Sequence, residues 1–270
     1  MRYDVSNGLT VMLVDTNEKF LKYFQQFLSE NLPYKIIAEK SGTQALLTAN
    51  HQPVHLFLME TKLAKPVTGF KMLELIRNDN KLAEVPVIFV SALRDKATVA
   101  KAKAAGVEEY LFKPVRESEA IKSVVKIIKQ SVKFTVLVVD ADEKMFPYTK
   151  VMLSSRFPYK VKVITTNSAF TGLDIIDAQE INLLILGNNM EVINGVRMLE
   201  MLQSRGQLEK LPVVFVPENL EMEDRYKIAE LGIEHYAEKP FRANDLVKTM
   251  LDALNVPPPP IFEEDLIIIE

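Results

Sequence analysis

The chain has 270 residues, 48% hydrophobic and 26% charged, which is enough apolar surface for one large core or two of ordinary size. It contains no cysteine, which excludes a disulfide framework, a thiolate metal site and a cysteine nucleophile, and its formal charge of −3 argues against binding nucleic acid through general basicity. No run approaches the length of about 18 apolar residues that a membrane span needs, and the opening MRYDVSNGLTVMLVDT has no signal-peptide pattern, so a soluble, cytoplasmic protein with no membrane or nucleic-acid partner is expected.

Along the first half, short apolar runs alternate with amphipathic segments. The runs at 10–14, 34–38, 56–59, 86–90 and 109–112 are mostly apolar without strict polar alternation, the pattern of central parallel strands covered on both faces. Asn17 is placed to cap a helix whose Phe20, Phe24, Phe27 and Leu28 fall on one face and read as core. Further helices are expected at 41–49, 69–79, 96–105 and 117–129, with Gly106 suited to end the fourth. Five strands alternating with five helices specify a doubly wound α/β domain.

The second half repeats the first. TVMLVDTNEKF at 10–20 returns as TVLVVDADEKM at 135–145, EVPVIFVSA at 84–92 as KLPVVFVPE at 210–218, and AAGVEEYLFKPV at 104–115 as ELGIEHYAEKPF at 230–241. Asp140 lies 125 residues after Asp15, and Lys239 lies 126 after Lys113, so the period is that of a whole domain. The expected organisation is two tandem five-stranded parallel sheets, over 8–131 and 133–255, then a tail at 256–270 with four prolines followed by acidic and apolar residues. That tail reads either as a linker or as a segment that docks on a partner. The three histidines, His51, His55 and His235, do not form a ligand set, and no metal site is expected from them.

Ligands of open parallel sheets bind beyond the carboxyl ends of the strands. In the first copy those ends carry Asp15 with Thr16, Glu60, Ser91, and Lys113 followed by Pro114; in the second they carry Asp140 with Ala141, Gly187, Pro217, and Lys239 followed by Pro240. In order and spacing, twice over, this set resembles the receiver domain of bacterial two-component response regulators, a flavodoxin-like fold. The resemblance implies an acidic pair at the first strand for Mg²⁺, a phosphate-accepting aspartate at the third, a hydroxyl at the fourth and a Lys-Pro, often cis, at the fifth. It also places Tyr110 and Tyr236, three residues before each lysine, at the family's switch aromatic.

Both copies depart from the family at the acceptor. Gly187 has no side chain, Pro217 replaces the hydroxyl and Ala141 replaces an acid, leaving Asp140 and Lys239 free to pair with each other. In the first copy Thr16 replaces one acid and Glu60 stands for the acceptor. Glu60 to Gly69 is nine residues, against eight from Gly187 to Gly195, which disturbs the loop expected to offer Mg²⁺ a carbonyl. No cofactor is therefore expected beyond weak Mg²⁺ binding through Asp15 and Glu60. Glu60 has two readings: a built-in phosphate mimic that holds Ser91 and Tyr110 in the active arrangement, or a structural ion pair with Lys113.

The resemblance then implies a signalling adaptor that is not an enzyme and works without phosphorylation. Its protein partners would bind through the fourth-helix, fifth-strand, fifth-helix faces at 96–129 and 222–252, and through the tail, and a homodimer is a further option. With no DNA-binding, kinase or cyclase segment after the second copy, output is expected to come from partners. Two alternatives stay open: a conditional phospho-switch using the surviving Asp15, Ser91 and Lys113, and a nucleotide or cyclic-dinucleotide sensor.

Overall fold

A computed structural model describes residues 8–219, 221–256 and 258. It divides, over the described residues, into units 8–132 and 133–256; the proposed tail, apart from Val256 and Pro258, lies outside the described residues.

In the first unit, β1 (Thr10–Val14), β2 (Lys35–Glu39), β3 (Leu56–Met59), β4 (Val87–Ser91) and β5 (Glu109–Phe112) form a parallel sheet in the order β2-β1-β3-β4-β5. Every residue of β1, β3 and β4 is buried, which is why these strands lack polar alternation. The strands alternate with α1 (Glu18–Asn31), α2 (Gly42–His51), α3 (Gly69–Asn78), α4 (Lys96–Ala104) and α5 (Glu117–Ser131). Side-chain caps start four of these helices: Asn17 accepts from Lys19 and Phe20 N–H, and Ser41, Thr68 and Asp95 each accept from the N–H three residues on. Gly106, at φ +78°, ends α4 as its position suggested.

One core lies between α2, α3 and α4 and the sheet, centred on Phe89, with the Phe70 ring 5.2 Å and the Tyr110 ring 6.1 Å away, both edge-on. Fully burying a side chain such as Phe89 is worth about 1.5–3 kcal/mol. The first helix needs one correction: its buried face is Leu21, Phe24, Phe27 and Leu28, whereas Phe20 is only half-buried at the carboxyl edge of the sheet. His55, at the opposite edge, accepts the Thr10 N–H through Nδ1 at 2.9 Å and is a structural clip.

The second unit comprises β6 (Lys133–Val139), α6 (Met145–Arg156), β7 (Lys160–Thr166), α7 (Ala169–Ala178), β8 (Leu183–Leu186), α8 (Gly195–Ser204), β9 (Val213–Phe215), α9 (Met222–Glu230) and α10 (Ala243–Ala253). Its sheet has four strands in the order β7-β6-β8-β9, not the five expected. The fifth position is occupied by an extended segment joined through one bridge, Phe215 to Tyr236, with Ala237 and Lys239 N–H donating to Phe215 and Pro217 carbonyls at 3.0 and 2.9 Å. Glu234, Tyr236 and Glu238 are exposed there, and half-buried Ala237 stands where the first copy has fully buried Leu111. With so little side chain to bury, this edge contributes too little packing to extend the ladder.

No helix among the described residues is long and apolar enough to cross a membrane.

Candidate functional site

The ends of four strands bring the first-copy residues together. Asp15 follows β1, its N–H on the Glu39 carbonyl at 3.1 Å, and Glu60 follows β3, its N–H on the Val14 carbonyl at 2.9 Å, so the two carboxylates rise side by side. Ser91 is the last residue of β4, and Lys113 follows β5 with its N–H on the Ser91 carbonyl at 2.9 Å. The Lys113–Pro114 bond is cis, as are Lys239–Pro240 and Lys65–Pro66; the last was not foreseen. Gly69 is required at the start of α3, because a Cβ there would sit 2.7 Å from Thr61 Cα and collide with the Glu60 carbonyl oxygen.

Glu60 is the hub. Its Oε2 accepts from Lys113 Nζ at 2.7 Å; its Oε1 accepts from Ser91 Oγ, from Thr61 Oγ1 at 2.9 Å and from the Lys62 N–H at 3.2 Å. Lys113 Nζ also donates to Asp15 Oδ2, while Asp15 Oδ1 accepts the Asn17 N–H at 2.8 Å. Asp15, Glu60 and Ser91 are 2%, 8% and 1% exposed, so the interactions are formed with little screening by water. Burial pushes the Glu60 carboxyl up, but the hydrogen bonds from Lys113 and Ser91, the Lys113 charge and the Lys62 N–H outweigh it and hold the group below the usual carboxylate range.

A continuous path leads away from this hub. Ser91 Oγ donates to Glu60 and accepts the Leu93 N–H at 3.3 Å, and the Leu93 carbonyl accepts the Tyr110 hydroxyl at 3.0 Å. Tyr110 is half-buried, its ring 5.1 Å from that of Phe112. Arg94 covers the outer side, donating to the Lys113 carbonyl and lying 5.1 Å over Phe112.

The second-copy residues make a smaller arrangement. Lys239 Nζ donates to Asp140 Oδ2 at 2.7 Å and lies 3.7 Å from Glu218. Gly187 leaves no side chain beneath them, and a Cβ there would stand 2.5 Å from Asp140 Oδ2, so the aspartate leans over the acceptor position itself. Pro217 is buried and supplies no hydroxyl, Ala141 is exposed, and Tyr236 is 57% exposed, pointing out where Tyr110 points in.

Asp15 and Glu60, the residues expected to bind Mg²⁺ weakly, are both bonded to Lys113. A hard divalent cation needs several oxygen ligands in near-octahedral geometry. In the first copy a metal ion would have to share both carboxylates with the Lys113 ammonium, and Thr16 is solvent-exposed and neutral, which leaves few ligands for it. Among the described residues no group of three or more His, Asp or Glu side chains is placed to hold a metal ion.

Three contributors were not read as site residues from the sequence. Thr61 hydroxyl oxygen lies 2.6 Å from that of Ser91 and is 5% exposed; the only signal for it is its position directly after Glu60. The Lys62 backbone N–H, rather than its charge, reaches Glu60. Phe20 lies under the ammonium of Lys113, 4.3 Å from Nζ to the ring centroid, a cation–π contact in place of the core role expected for it.

A family model for the response regulator receiver domain matches residues 11–125 and 136–251. The polar-differentiation response regulator DivK of Brucella ovis is 33% identical over 117 residues, 42% of this chain and 94% of that protein. The protein of the same name from Brucella anthropi is 34% identical over 118 residues, again 42% of this chain and 94% of its own. Among solved structures, the signal receiver domain of an HD domain-containing protein from Pseudomonas fluorescens Pf-5 is 27% identical, covering 45% of this chain and 94% of that one, with a TM-score of 0.42. A two-component response regulator/GGDEF domain protein is 17% identical, covering 92% and 99%, also with a TM-score of 0.42.

Proposed function

The chain belongs to the response regulator receiver domain family, and from that premise we propose that it is a signalling adaptor that works without phosphorylation, its first domain held active-like by Glu60. The observation that carries this reading is the unbroken series Glu60–Ser91–Leu93–Tyr110. In a phosphorylated receiver the hydroxyl and the lysine engage oxygens of the phosphoryl group. Here a carboxylate one methylene longer than aspartate meets both, and Thr61 adds a third donor. Because the mimic is covalent, the switch is biased whenever the domain is folded, and a kinase adds nothing to it.

The second domain serves as a binding module. Gly187 and Pro217 remove nucleophile and hydroxyl, and Asp140 and Lys239 neutralise each other. Its α9 and fifth-position segment instead expose Met222, Tyr226 and Tyr236 at 68%, 66% and 57%. The Arg225–Glu238 pair, 2.9 Å apart, ties helix and segment together beside them. Aromatic residues and Met with a polar border are the chemistry of a protein-binding face.

Fluorine NMR of the full chain labelled with 3-fluorotyrosine tests the first-domain reading. Tyr110, assigned through Tyr110→Phe, is expected to give a resonance displaced from the solvent-exposed position without any phosphodonor and to move toward that position in Glu60→Ala. A Tyr110 resonance indifferent to Glu60→Ala would refute the coupling.

A further inference from the structure

We infer that the cavity at the amino end of the second sheet binds a guanidinium group, in the place that Arg77 fills from within the first domain. This end lies opposite the carboxyl-end site and takes no part in it. In the first domain Arg77, on α3, donates to the carbonyls of Ala83 and Val85 at 3.1 and 2.7 Å and to that of Gly106 at 2.8 Å. Its guanidinium also lies 3.8 Å from Glu108 Oε2, which accepts the Val87 N–H at 2.7 Å. One planar cation thus closes the gap between the α3–β4 loop, the end of α4 and the start of β5.

The repeat aligns without a gap here: GFKMLELIRNDNKLAEVPV at 69–87 stands over GVRMLEMLQSRGQLEKLPV at 195–213. Gln203 replaces Arg77, while Glu209, Leu211, Gly232 and Glu234 stand for Ala83, Val85, Gly106 and Glu108. Those five residues line one cavity of about 430 Å³. The space above the glycine records the missing cation directly. A Cβ on Gly106 would meet Arg77 Nε at 3.7 Å, whereas a Cβ on Gly232 meets nothing within 4 Å.

The cavity has the size of a small-molecule site and is walled on one side by apolar Leu208, Leu211 and Ile233. Its charged lining is two carboxylates, Glu209 and Glu234, against the one ammonium of Lys210, so it favours a cation. The shape favours guanidinium over ammonium, since a flat fork with five N–H donors serves several carbonyls and a carboxylate at once. A free guanidino compound and an arginine side chain on a partner protein share this chemistry.

The test is an NMR titration of the ¹⁵N-labelled full chain, following the Gly232 and Ile233 amides with agmatine, acetyl-Gly-Arg-Gly-amide and n-butylamine. Agmatine is expected to shift both amides with a Kd on the order of 1–10 mM, the range for so small a ligand. Gln203→Arg, which supplies the cation from within, should abolish the shift, and Glu234→Gln should weaken it at least about fivefold by removing the charge-assisted partner. If Gln203→Arg fails to fold, Glu234→Gln carries the comparison. The peptide binding as well as agmatine identifies an arginine side chain as the ligand, and agmatine binding alone identifies a free compound. No shift up to about 50 mM agmatine, well beyond the expected range, would overturn the assignment. So would a shift unchanged in both variants, or equal binding of n-butylamine.

Discussion

Replacing Lys113 by Met removes the one cation shared by two buried carboxylates. Lys113 Nζ bonds both Asp15 Oδ2 and Glu60 Oε2, and its side chain is 17% exposed. Without it, two unit charges about 4 Å apart at an effective dielectric near 20 repel by about 4 kcal/mol. Protonating one carboxyl relieves this, at a cost set by its distance from an ordinary value of about 4.3: about 3.7 kcal/mol at pH 7 and about 1 kcal/mol at pH 5. The variant is therefore expected to lose about 3–4 kcal/mol at pH 7 and to regain about 2–3 kcal/mol of it at pH 5. The sign is opposite to the wild type. There the Glu60 carboxyl sits below its ordinary value, so its contribution is present above the unfolded value and is lost as pH falls through the folded one. In the variant a carboxyl is raised, the folded state binds more protons, and stability falls as pH rises. Scanning calorimetry of both proteins at pH 5 and pH 7 measures this, with about 3–5 °C expected per kcal/mol for a domain of this size. A deficit below about 0.5 kcal/mol at pH 7, or one that does not shrink at pH 5, would refute the reasoning.

Gly187→Asp restores the family's residue type but not its chemistry. The new Cβ stands 2.5 Å from Asp140 Oδ2, so the second domain should lose about 2–4 kcal/mol in a urea melt and still gain no mass from a phosphodonor. The two tyrosines should separate cleanly in the same assay. Tyr110→Ala removes a half-buried ring packed on Phe89 and the Leu93 hydrogen bond, and is expected to cost about 2–3 kcal/mol. Tyr236→Ala, at 57% exposure, should stay within about 0.5 kcal/mol of wild type.

Much of the fold was legible because its central strands are short buried apolar runs with no polar alternation. The expected 10–14, 56–59 and 109–112 coincide with β1, β3 and β5, and Asn17 caps α1 as read. The fifth strand of the second sheet was not legible by analogy, since the repeat preserves the Tyr and Lys positions while Ala237 withdraws the packing that makes a ladder there. Helical periodicity selected a stripe but could not say which of the adjacent Phe20 and Leu21 turns inward; Phe20 lies at the edge, against the Lys113 ammonium. At the site, residue type at each strand end was enough to assemble Asp15, Glu60, Ser91 and Lys113. Thr61 stayed hidden because its hydroxyl reaches Ser91 only through the turn of the loop after β3. Thr16 and Ala141, read at the acid positions, lie exposed outside the hydrogen-bonded cluster.

Intact-mass analysis of the full chain with Mg²⁺ and acetyl phosphate, wild type beside Glu60→Asp, tests the claim that Glu60 stands in for the phosphoryl group. The wild type is expected to keep its mass, whatever the variant does, because its carboxylate is already bonded to Ser91, Thr61 and Lys113. A phosphoryl group on the wild type that is lost in Glu60→Gln would show a working phospho-switch and contradict the account.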